Sequence, residues 1–319
     1  MTLPNFLIIG AGKAGTTSLY HYLEQHPDIF MCPVKEPRFF IYEQRYADLL
    51  ADPEVAEYFK YRTLAQYEAL FDGVRGEQVV GEASIQYYAS VGAAKRIAGT
   101  LGSPRMVAIL RNPIERAYSS YTMEMVAGRE RRSFEQAVED ELNGVNAEHP
   151  LGRFHHLERG LYHHHLTAFR ARFDQPNLKL YLYEDLKINL PGLLRDLFQF
   201  LGVDPSFEPD TTIKYNSSGV PKNAALNKLT GKNALTRFVK TCTPRLLREP
   251  LYARAMKWRN RNLESRTMRA DVRERLLAYY RQDVEALQAL LGRDLSHWLS
   301  LSSGTDASDW PPEQFRIAS

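Results

Sequence analysis

Residues 6–18 read FLIIGAGKAGTTS, and this stretch decides the fold. The mostly apolar run at residues 5–9 predicts a short buried parallel strand, and apolar residues at helical spacing predict a helix over residues 16–25. A glycine-rich turn between a strand and a helix brings backbone N–H groups and the positive end of the helix dipole to one point. The stretch therefore predicts an anion-binding site at the end of a buried strand.

The turn departs at one position from the phosphate-binding loop of nucleoside triphosphatases. That loop reads G-x-x-x-x-G-K-[ST]. Gly10, Gly15 and Thr17 match it, but Thr16 occupies the lysine position, and a lysine occurs three residues earlier, at Lys13. In triphosphatases the lysine bridges the β- and γ-phosphates beside a metal ion. The displacement favours a metal-free anion site, and a turn that only connects strand to helix is the alternative.

The rest of the chain alternates between predicted strands and helices. Apolar runs at residues 78–81, 106–110 and 178–183 predict buried strands, with helices at 113–126 and near 192–201. This alternation predicts a three-layer α/β fold, with a mainly parallel central sheet and helices on both faces. A last amphipathic helix has apolar residues from Val272 to Leu291, Asp271 as N-cap and Gly292 at its end.

Composition and charge exclude several classes of protein. The chain has 319 residues and a net charge of +3, which argues against a protein that coats polyanions. There is no apolar run of about 18 residues and no signal-peptide pattern. Cys32 and Cys242 lie far apart and suit a reducing compartment. We expect a cytoplasmic protein with one domain over residues 1–300 and an irregular tail at 301–319.

Three motifs resemble those of sulfotransferases that use 3′-phosphoadenosine 5′-phosphosulfate (PAPS). Residues 13–19, KAGTTSL, resemble the family's K-x-G-T-T-x-L loop, and residues 111–121, RNPIERAYSSY, resemble R-[DN]-P-x-x-R-x-x-S-x-Y. Residues 35–40, KEPRFF, resemble the K-E-P-x-F-F segment of the glycosaminoglycan and bacterial branch. Weaker matches follow in the family's order, so that the resemblance covers about residues 3–299; they lie at residues 81–84, 159–162, 183–186 and 291–295.

The resemblance implies which residues hold the donor. Lys13 would contact the leaving phosphosulfate, and Arg111 and Ser119 would hold the 3′-phosphate. Tyr183 matches a position that touches adenine in some relatives, although an aromatic residue that ends a strand is more often part of the core. The remaining donor-binding residues lie in the glycine turn, where the last four would hold the 5′-phosphate: Ala14, Gly15, Thr16, Thr17 and Ser18. For Arg111, a surface ion pair is the alternative.

The resemblance also implies a general base. It places Glu36 at the family's base position, with Lys35 beside it to lower its pKa or to bind an acidic acceptor. The alternative is a solvated loop pair. Phe39 and Phe40 are expected to pack rather than to bind substrate. A histidine cluster provides a rival base or a metal site, but an exposed polar helix is favoured; its members are His155, His156, His163, His164 and His165.

These motifs predict sulfuryl transfer from PAPS to a hydroxyl or amine of a saccharide or glycolipid, with no metal and no nucleic-acid partner. One alternative is a small-molecule kinase with Glu184 or Asp185 as metal ligand, and another is a nucleotide-binding module without catalysis. Residues 237–281 hold thirteen Lys and Arg against four acids. This stretch, mostly helical at about 232–270, suits a lid over PAPS, a bed for an anionic saccharide, contact with an anionic membrane, or a solvated face. The oligomeric state stays open.

Overall fold

A five-stranded sheet forms the centre of the protein. The computed structural model describes residues 2–90, 92–145, 155–173, 175–212, 220–221, 263–264 and 268–301. The strand order is β2-β3-β1-β4-β5, and every neighbouring pair is parallel. The strands are β1 (Phe6–Gly10), β2 (Ile29–Met31), β3 (Val79–Ala83), β4 (Arg105–Leu110) and β5 (Leu178–Leu182). A separate antiparallel pair joins β6 (Val220–Pro221) to β7 (Leu263–Glu264).

The central strand β1 is apolar because it is covered on both sides. Its first four residues are fully buried, and Phe6 lies opposite Gly81 on one neighbour and Arg105 on the other. Parallel strands buried on both faces require such uninterrupted apolar runs. All five strands therefore end at the same edge of the sheet, and the loops that follow them meet there.

Helices surround the sheet. Asn112 is the N-cap of the helix that follows β4: its side-chain Oδ1 accepts from the amides of Ile114 and Glu115, and Pro113 fits the first helical position. The helices are α1 (Thr16–Leu23), α2 (Pro53–Tyr58), α3 (Leu64–Glu68), α4 (Ala93–Leu101), α5 (Pro113–Val126), α6 (Phe134–Leu142), α7 (Tyr162–Arg170), α8 (Tyr183–Ile188), α9 (Leu190–Leu201) and α10 (Ala270–Leu291).

This architecture confirms the predicted α/β fold, with two local corrections. β2 was not predicted, because an edge strand of three residues is too short to give a periodic signal. The N-cap of α10 is Arg269, not Asp271. The Asp271 carboxylate lies in the first turn and pairs with the Arg269 guanidinium, at 2.9 Å between Nη2 and Oδ2, so that it is not available as a cap.

Two predicted regions fall largely outside the described residues. The basic stretch at 232–270, apart from residues 263–264 and 268–270, and the tail beyond residue 301 are not described, nor is Cys242. The single-domain organisation and the cytoplasmic location stay predictions. In the described part of the chain, no helix combines the length and the apolar character needed to cross a bilayer.

Candidate active site

The predicted site residues follow different strands of the same sheet. Lys13 follows β1, Glu36 follows β2, Arg111 follows β4 and Tyr183 follows β5. Since the strands are parallel, all four lie at the carboxyl edge, where α/β proteins bind their ligands. β3 separates β1 from β2, so that the ends of these two strands are about 10 Å apart. The sheet therefore brings the glycine turn and the Glu36 loop to one edge.

The glycine turn is fixed to the sheet and opens into α1. The amide of Ala11 donates to the carbonyl of Ile109 at 2.8 Å, which ties the turn to β4. Gly15 is the N-cap of α1 with φ 90°, a left-handed conformation that favours glycine. A Cβ at this position would lie 3.3 Å from Leu186 Cδ1 and 3.4 Å from Tyr183 Cε2. The positive end of the helix dipole therefore faces a turn with little room for side chains.

Arg111 holds the turn from the side. Its Nη1 donates to the carbonyl oxygen of Lys13 at 3.1 Å, and its Cζ lies 5.0 Å from the centre of the Tyr183 ring. The Lys187 ammonium lies 4.9 Å from the same ring. The Lys13 Nζ lies 3.8 Å from the Met123 Sδ. Cationic side chains thus gather around the turn, as an anionic ligand requires.

Two alternatives raised for this part of the edge can be compared with the contacts in the structure. The recorded partners of Arg111 are a carbonyl and an aromatic ring, not the acid of a surface ion pair. Tyr183 packs against the core but stays partly exposed beside the turn, because β5 ends at Leu182 and the next residue already begins α8. Its ring can therefore face a ligand.

The backbone of Arg111 is anchored by a buried tyrosine. The Tyr162 hydroxyl donates to the Arg111 carbonyl at 2.7 Å, and Tyr162 is fully buried. Ser119 lies about two turns into α5 and is also buried. Tyr162, in the motif at residues 159–162, thus anchors the backbone at the start of the segment at residues 111–121.

Glu36 is held by three side chains. Its Oε2 lies 2.5 Å from Arg38 Nη2 and 3.2 Å from Gln86 Nε2, and its Oε1 lies 3.5 Å from Lys35 Nζ. Burial raises the pKa of Glu36, but the charges of Arg38 and Lys35 and the hydrogen bonds outweigh it, so that this pKa lies below its ordinary value. Glu36 is therefore a carboxylate at neutral pH. Lys35 acts in the expected direction, and Arg38 and Gln86 are the contributors that the sequence analysis missed.

The aromatic residues after Glu36 pack on the interior as expected, and they also line a groove. Phe40 is buried, and the ring of Phe39 stacks on that of Tyr67 with centres 4.5 Å apart. The segment that carries Glu36 is thereby fixed on the protein interior.

The histidine cluster is more buried than expected. His156 is buried, and its Nδ1 lies 3.1 Å from Ser120 Oγ; burial and the nearby Arg116 lower the pKa of His156 to about 3. His165 is also buried, with its Nε2 3.0 Å from the Glu158 carbonyl. The exposed polar helix is therefore wrong for these two residues, because they turn inward onto polar partners. Among the described residues, no group of three or more His, Cys, Asp and Glu could hold a metal ion.

The carboxylates proposed as kinase metal ligands already have partners. Both oxygens of Asp185 accept from Arg293, each at 2.7 Å, and Asp185 Oδ2 also accepts from the Leu182 amide. The buried Glu184 accepts from Trp298 Nε1 at 3.0 Å. Both carboxylates are buried and bind partners inside the protein, which counts against their binding a metal ion and so against the kinase alternative.

The fold and this edge define an α/β protein that presents cations, a helix N-terminus and a fixed carboxylate at the ends of parallel strands. Residues 3–244 match the family profile of the sulfotransferase domain, and the chain belongs to the sulfotransferase family.

Two curated proteins that are similar in sequence to this chain are named as sulfotransferases. The chain is 34% identical over 121 residues to the membrane-associated sulfotransferase kil1 of Dictyostelium discoideum, covering 38% of this chain and 23% of that protein. It is 25% identical over 265 residues to carbohydrate sulfotransferase 15 of Homo sapiens, covering 67% of this chain and 46% of that protein. The chain thus spans less than half the length of these curated relatives.

A solved structure agrees over nearly the whole chain. A sulfotransferase from Alicyclobacillus acidocaldarius superposes with a TM-score of 0.70 and 29% identity, over 94% of this chain and all of that one.

Proposed function

We propose that this protein transfers a sulfuryl group from PAPS to a hydroxyl or amine of a saccharide. The observation that carries the proposal is the pairing, at one sheet edge, of a cation-lined glycine turn with a separately held carboxylate. The first suits an anionic donor and the second suits an acceptor that must lose a proton. The sulfotransferase family match supports the same reaction.

The residues of the glycine turn fit the donor. The turn offers the N-terminus of α1, the hydroxyls of Thr16, Thr17 and Ser18, and the cations Lys13 and Arg111. PAPS supplies the sulfuryl group. The acceptor oxygen or nitrogen bonds to sulfur as the bond between sulfur and the 5′-phosphate oxygen breaks, and the electron pair of the broken bond stays on that phosphate oxygen. Lys13 neutralises the charge that develops on that leaving oxygen. Arg111 and Ser119 bind the 3′-phosphate, and Tyr183 offers a ring for adenine.

Glu36 is the general base of the proposal. A carboxylate in its ionised form accepts the proton of the attacking hydroxyl or amine as the new bond forms. Arg38 and Gln86 fix its orientation, and the lowered pKa of Glu36 keeps it ionised in neutral solution. The same two neighbours also keep it a mild base, so that the lysine at the leaving group carries much of the rate enhancement.

A groove lined in part by Phe39, three residues after Glu36, supports a charged saccharide as acceptor. It has a volume of about 590 Å³ and runs along α4, a helix about 13 Å long by its nine residues. Aromatic rings bind the apolar faces of sugars, and cations bind their sulfate or carboxylate groups. Its lining includes Phe39, Tyr42, Arg62, Lys95 and Arg96. The relative named carbohydrate sulfotransferase 15 supports this acceptor class.

Two measurements test the proposal. In calorimetric titrations, adenosine 3′,5′-bisphosphate should bind and Mg-ATP should not; the reverse would favour the kinase. Incubation with radiolabelled PAPS and a panel of acceptors, including an unsulfated glycosaminoglycan, a neutral glycolipid and a simple phenol, should label the glycosaminoglycan. Binding of the bisphosphate without transfer to any acceptor would favour the non-catalytic module.

A further inference from the structure

The turn that carries Glu36 is held in an unfavourable backbone conformation. Glu36 has φ 62° and Arg38 has φ 59°, and neither residue is a glycine. Residues other than glycine rarely adopt this left-handed backbone conformation, so that the surrounding structure must maintain it. Two bonds to the end of β3 do so: the Glu36 amide donates to the Ala83 carbonyl at 2.8 Å, and the Arg38 amide donates to Ser84 Oγ at 3.1 Å.

The second of these bonds depends on a buried carboxyl group. Ser84 has one hydroxyl proton, and since its oxygen accepts from the Arg38 amide, the proton points to another acceptor. That acceptor is Glu82 Oε2, at 2.9 Å. Glu82 and Ser84 are both fully buried. Glu82 therefore orients the hydroxyl that holds the Arg38 backbone.

The buried carboxyl group of Glu82 costs free energy at this position of the strand. Its Oε1 accepts from the Tyr67 hydroxyl at 3.2 Å, so that its described hydrogen-bond partners are hydroxyls rather than cations. Burial raises the pKa of Glu82 to about 7, against the lowering effect of these hydroxyls and that of Tyr87. An apolar side chain would fill a buried strand at lower cost. The carboxyl group is thus explained by what it orients, not by stability.

We propose that Glu82 and Ser84 are positioning residues for the reaction: together they hold the turn at residues 36–38, so that the Arg38 guanidinium stays against the Glu36 carboxylate. This inference rests on the proposed function, in which Glu36 is the base. Tyr67 fixes the far oxygen of Glu82 and the stacked ring of Phe39, so that it joins the same support.

A double-mutant cycle tests the pair. Ser84→Ala removes the link to the Arg38 amide, and we expect kcat to fall about tenfold while KM for PAPS stays unchanged. In a Glu36→Gln background the same change should cost nothing further, because the turn then has no base to position. An equal fall in both backgrounds, or no fall in either, overturns the proposal.

Two further variants separate positioning from general damage. Glu82→Gln keeps an oxygen that accepts from Ser84, so that it should retain most of the kcat that Ser84→Ala loses. Ser133→Ala removes the N-cap of α6, which is far along the chain, and weakens the fold without touching the turn. It should leave kcat unchanged at a temperature where the protein is folded; a fall equal to that of Ser84→Ala would assign the effect to lost stability.

A measurement without PAPS keeps this inference separate from the proposed function. Carboxyl carbon NMR of the apo-protein reports the titration of Glu36, assigned with Glu36→Gln. In Ser84→Ala the pKa of Glu36 should rise toward its ordinary value of 4.5, because Arg38 is released. An unchanged titration overturns the inference even if the wild-type protein transfers sulfate. A shifted titration in a protein that transfers none would contradict the proposed function alone.

Discussion

At the scale of single residues, the proposed reaction depends most on Lys13. Lys13 itself has a left-handed backbone, with φ 73°, and its carbonyl accepts from Arg111, so that the turn fixes where its side chain starts. We expect Lys13→Ala to lower kcat by about 10² to 10³, in the range found when one charge-stabilising group is removed. Steady-state kinetics with PAPS measures this, and unfolding curves should match the wild type. Lys60→Ala, at an exposed lysine, is the control, and equal losses in both variants would refute the role of Lys13.

Arg38 gives a pH prediction with a definite sign. Its charge is the largest of the effects that lower the pKa of Glu36, so that Arg38→Gln should raise this pKa. In the proposed reaction Glu36 acts as an ionised base, so that kcat/KM should fall as acid protonates it. The acid limb of the pH profile should lie below pH 4.5 in the wild type and move to higher pH in Arg38→Gln. A limb that stays in place would show that Arg38 does not act on the base.

Arg111 is predicted to act on binding rather than on the chemical step. Arg111→Ala removes the cation at the predicted 3′-phosphate position and one bond to the turn. A charge-assisted hydrogen bond of about 1.5 to 3 kcal/mol corresponds to a loss of roughly 10- to 100-fold in affinity for adenosine 3′,5′-bisphosphate. Calorimetry measures this. If the variant lost no more affinity for the bisphosphate than for adenosine 5′-phosphate, Arg111 would not recognise the 3′-phosphate.

The sequence could nominate residues but not their neighbours. Lys13, Glu36 and Arg111 stand in motifs with fixed spacing, and the structure places all three at one sheet edge. Gln86 lies fifty positions from Glu36 and reaches it only because β2 and β3 are adjacent. The sequence did not show that Tyr183 stays partly exposed, because a run of apolar residues does not fix the end of a strand to within one residue.

At the scale of elements, helix α4 contributes residues to the groove proposed for the acceptor. Lys95 is exposed on it and lines the groove beside Phe39. We expect Lys95→Glu to raise KM several-fold for an anionic saccharide but not for a neutral acceptor, because the reversed charge repels only the former. The effect should shrink with added salt. Arg172→Glu, beyond the end of α7, is the matched control, and an equal rise in KM there would remove the groove from the acceptor site.

The elements differ in how well the sequence predicts them. Strands β1, β3, β4 and β5 and helix α5 were found within two or three residues, because long apolar runs and Pro113 mark them clearly. The short helices between β2 and β3 have their own small core around Phe59, which leaves no long periodic pattern. Edge strand β2 takes its conformation from its pairing with β3, and that is a tertiary effect.

At the scale of the whole molecule, an ion pair joins the segment after α10 to the segment after β5. Arg293, after α10, pairs with the buried Asp185 after β5 at two points. Arg293→Ala leaves that carboxylate buried without its cation, and we expect a loss of about 3 kcal/mol in the free energy of unfolding. Arg281→Ala removes an exposed pair with Glu285 at 3.9 Å and should cost less than about 0.5 kcal/mol. Similar urea midpoints for the two variants would contradict this difference.

Buried ionisable groups give the fold a pH dependence of its own. The pKa of Glu82 is raised from 4.5 to about 7 in the folded protein, so that the folded state holds the proton more tightly than the unfolded chain does. Its contribution is complete below pH 4.5 and is lost as the pH rises through 7, a change of about 3 kcal/mol. His156 acts oppositely: its pKa falls from 6.5 to about 3, so that it destabilises the fold as the pH drops below 6.5.

The two effects overlap between pH 4.5 and 6.5, and a difference between variants separates them. Glu82→Gln has no proton to lose and keeps His156 unchanged. The stability of the wild type minus that of Glu82→Gln should therefore decline from pH 5 to about pH 7 and level off by pH 8, as measured by urea unfolding at each pH. A difference that is flat across this range would mean that the buried carboxyl group titrates as it does in water, and burial would then not hold the proton on Glu82 against the lowering effect of the hydroxyls.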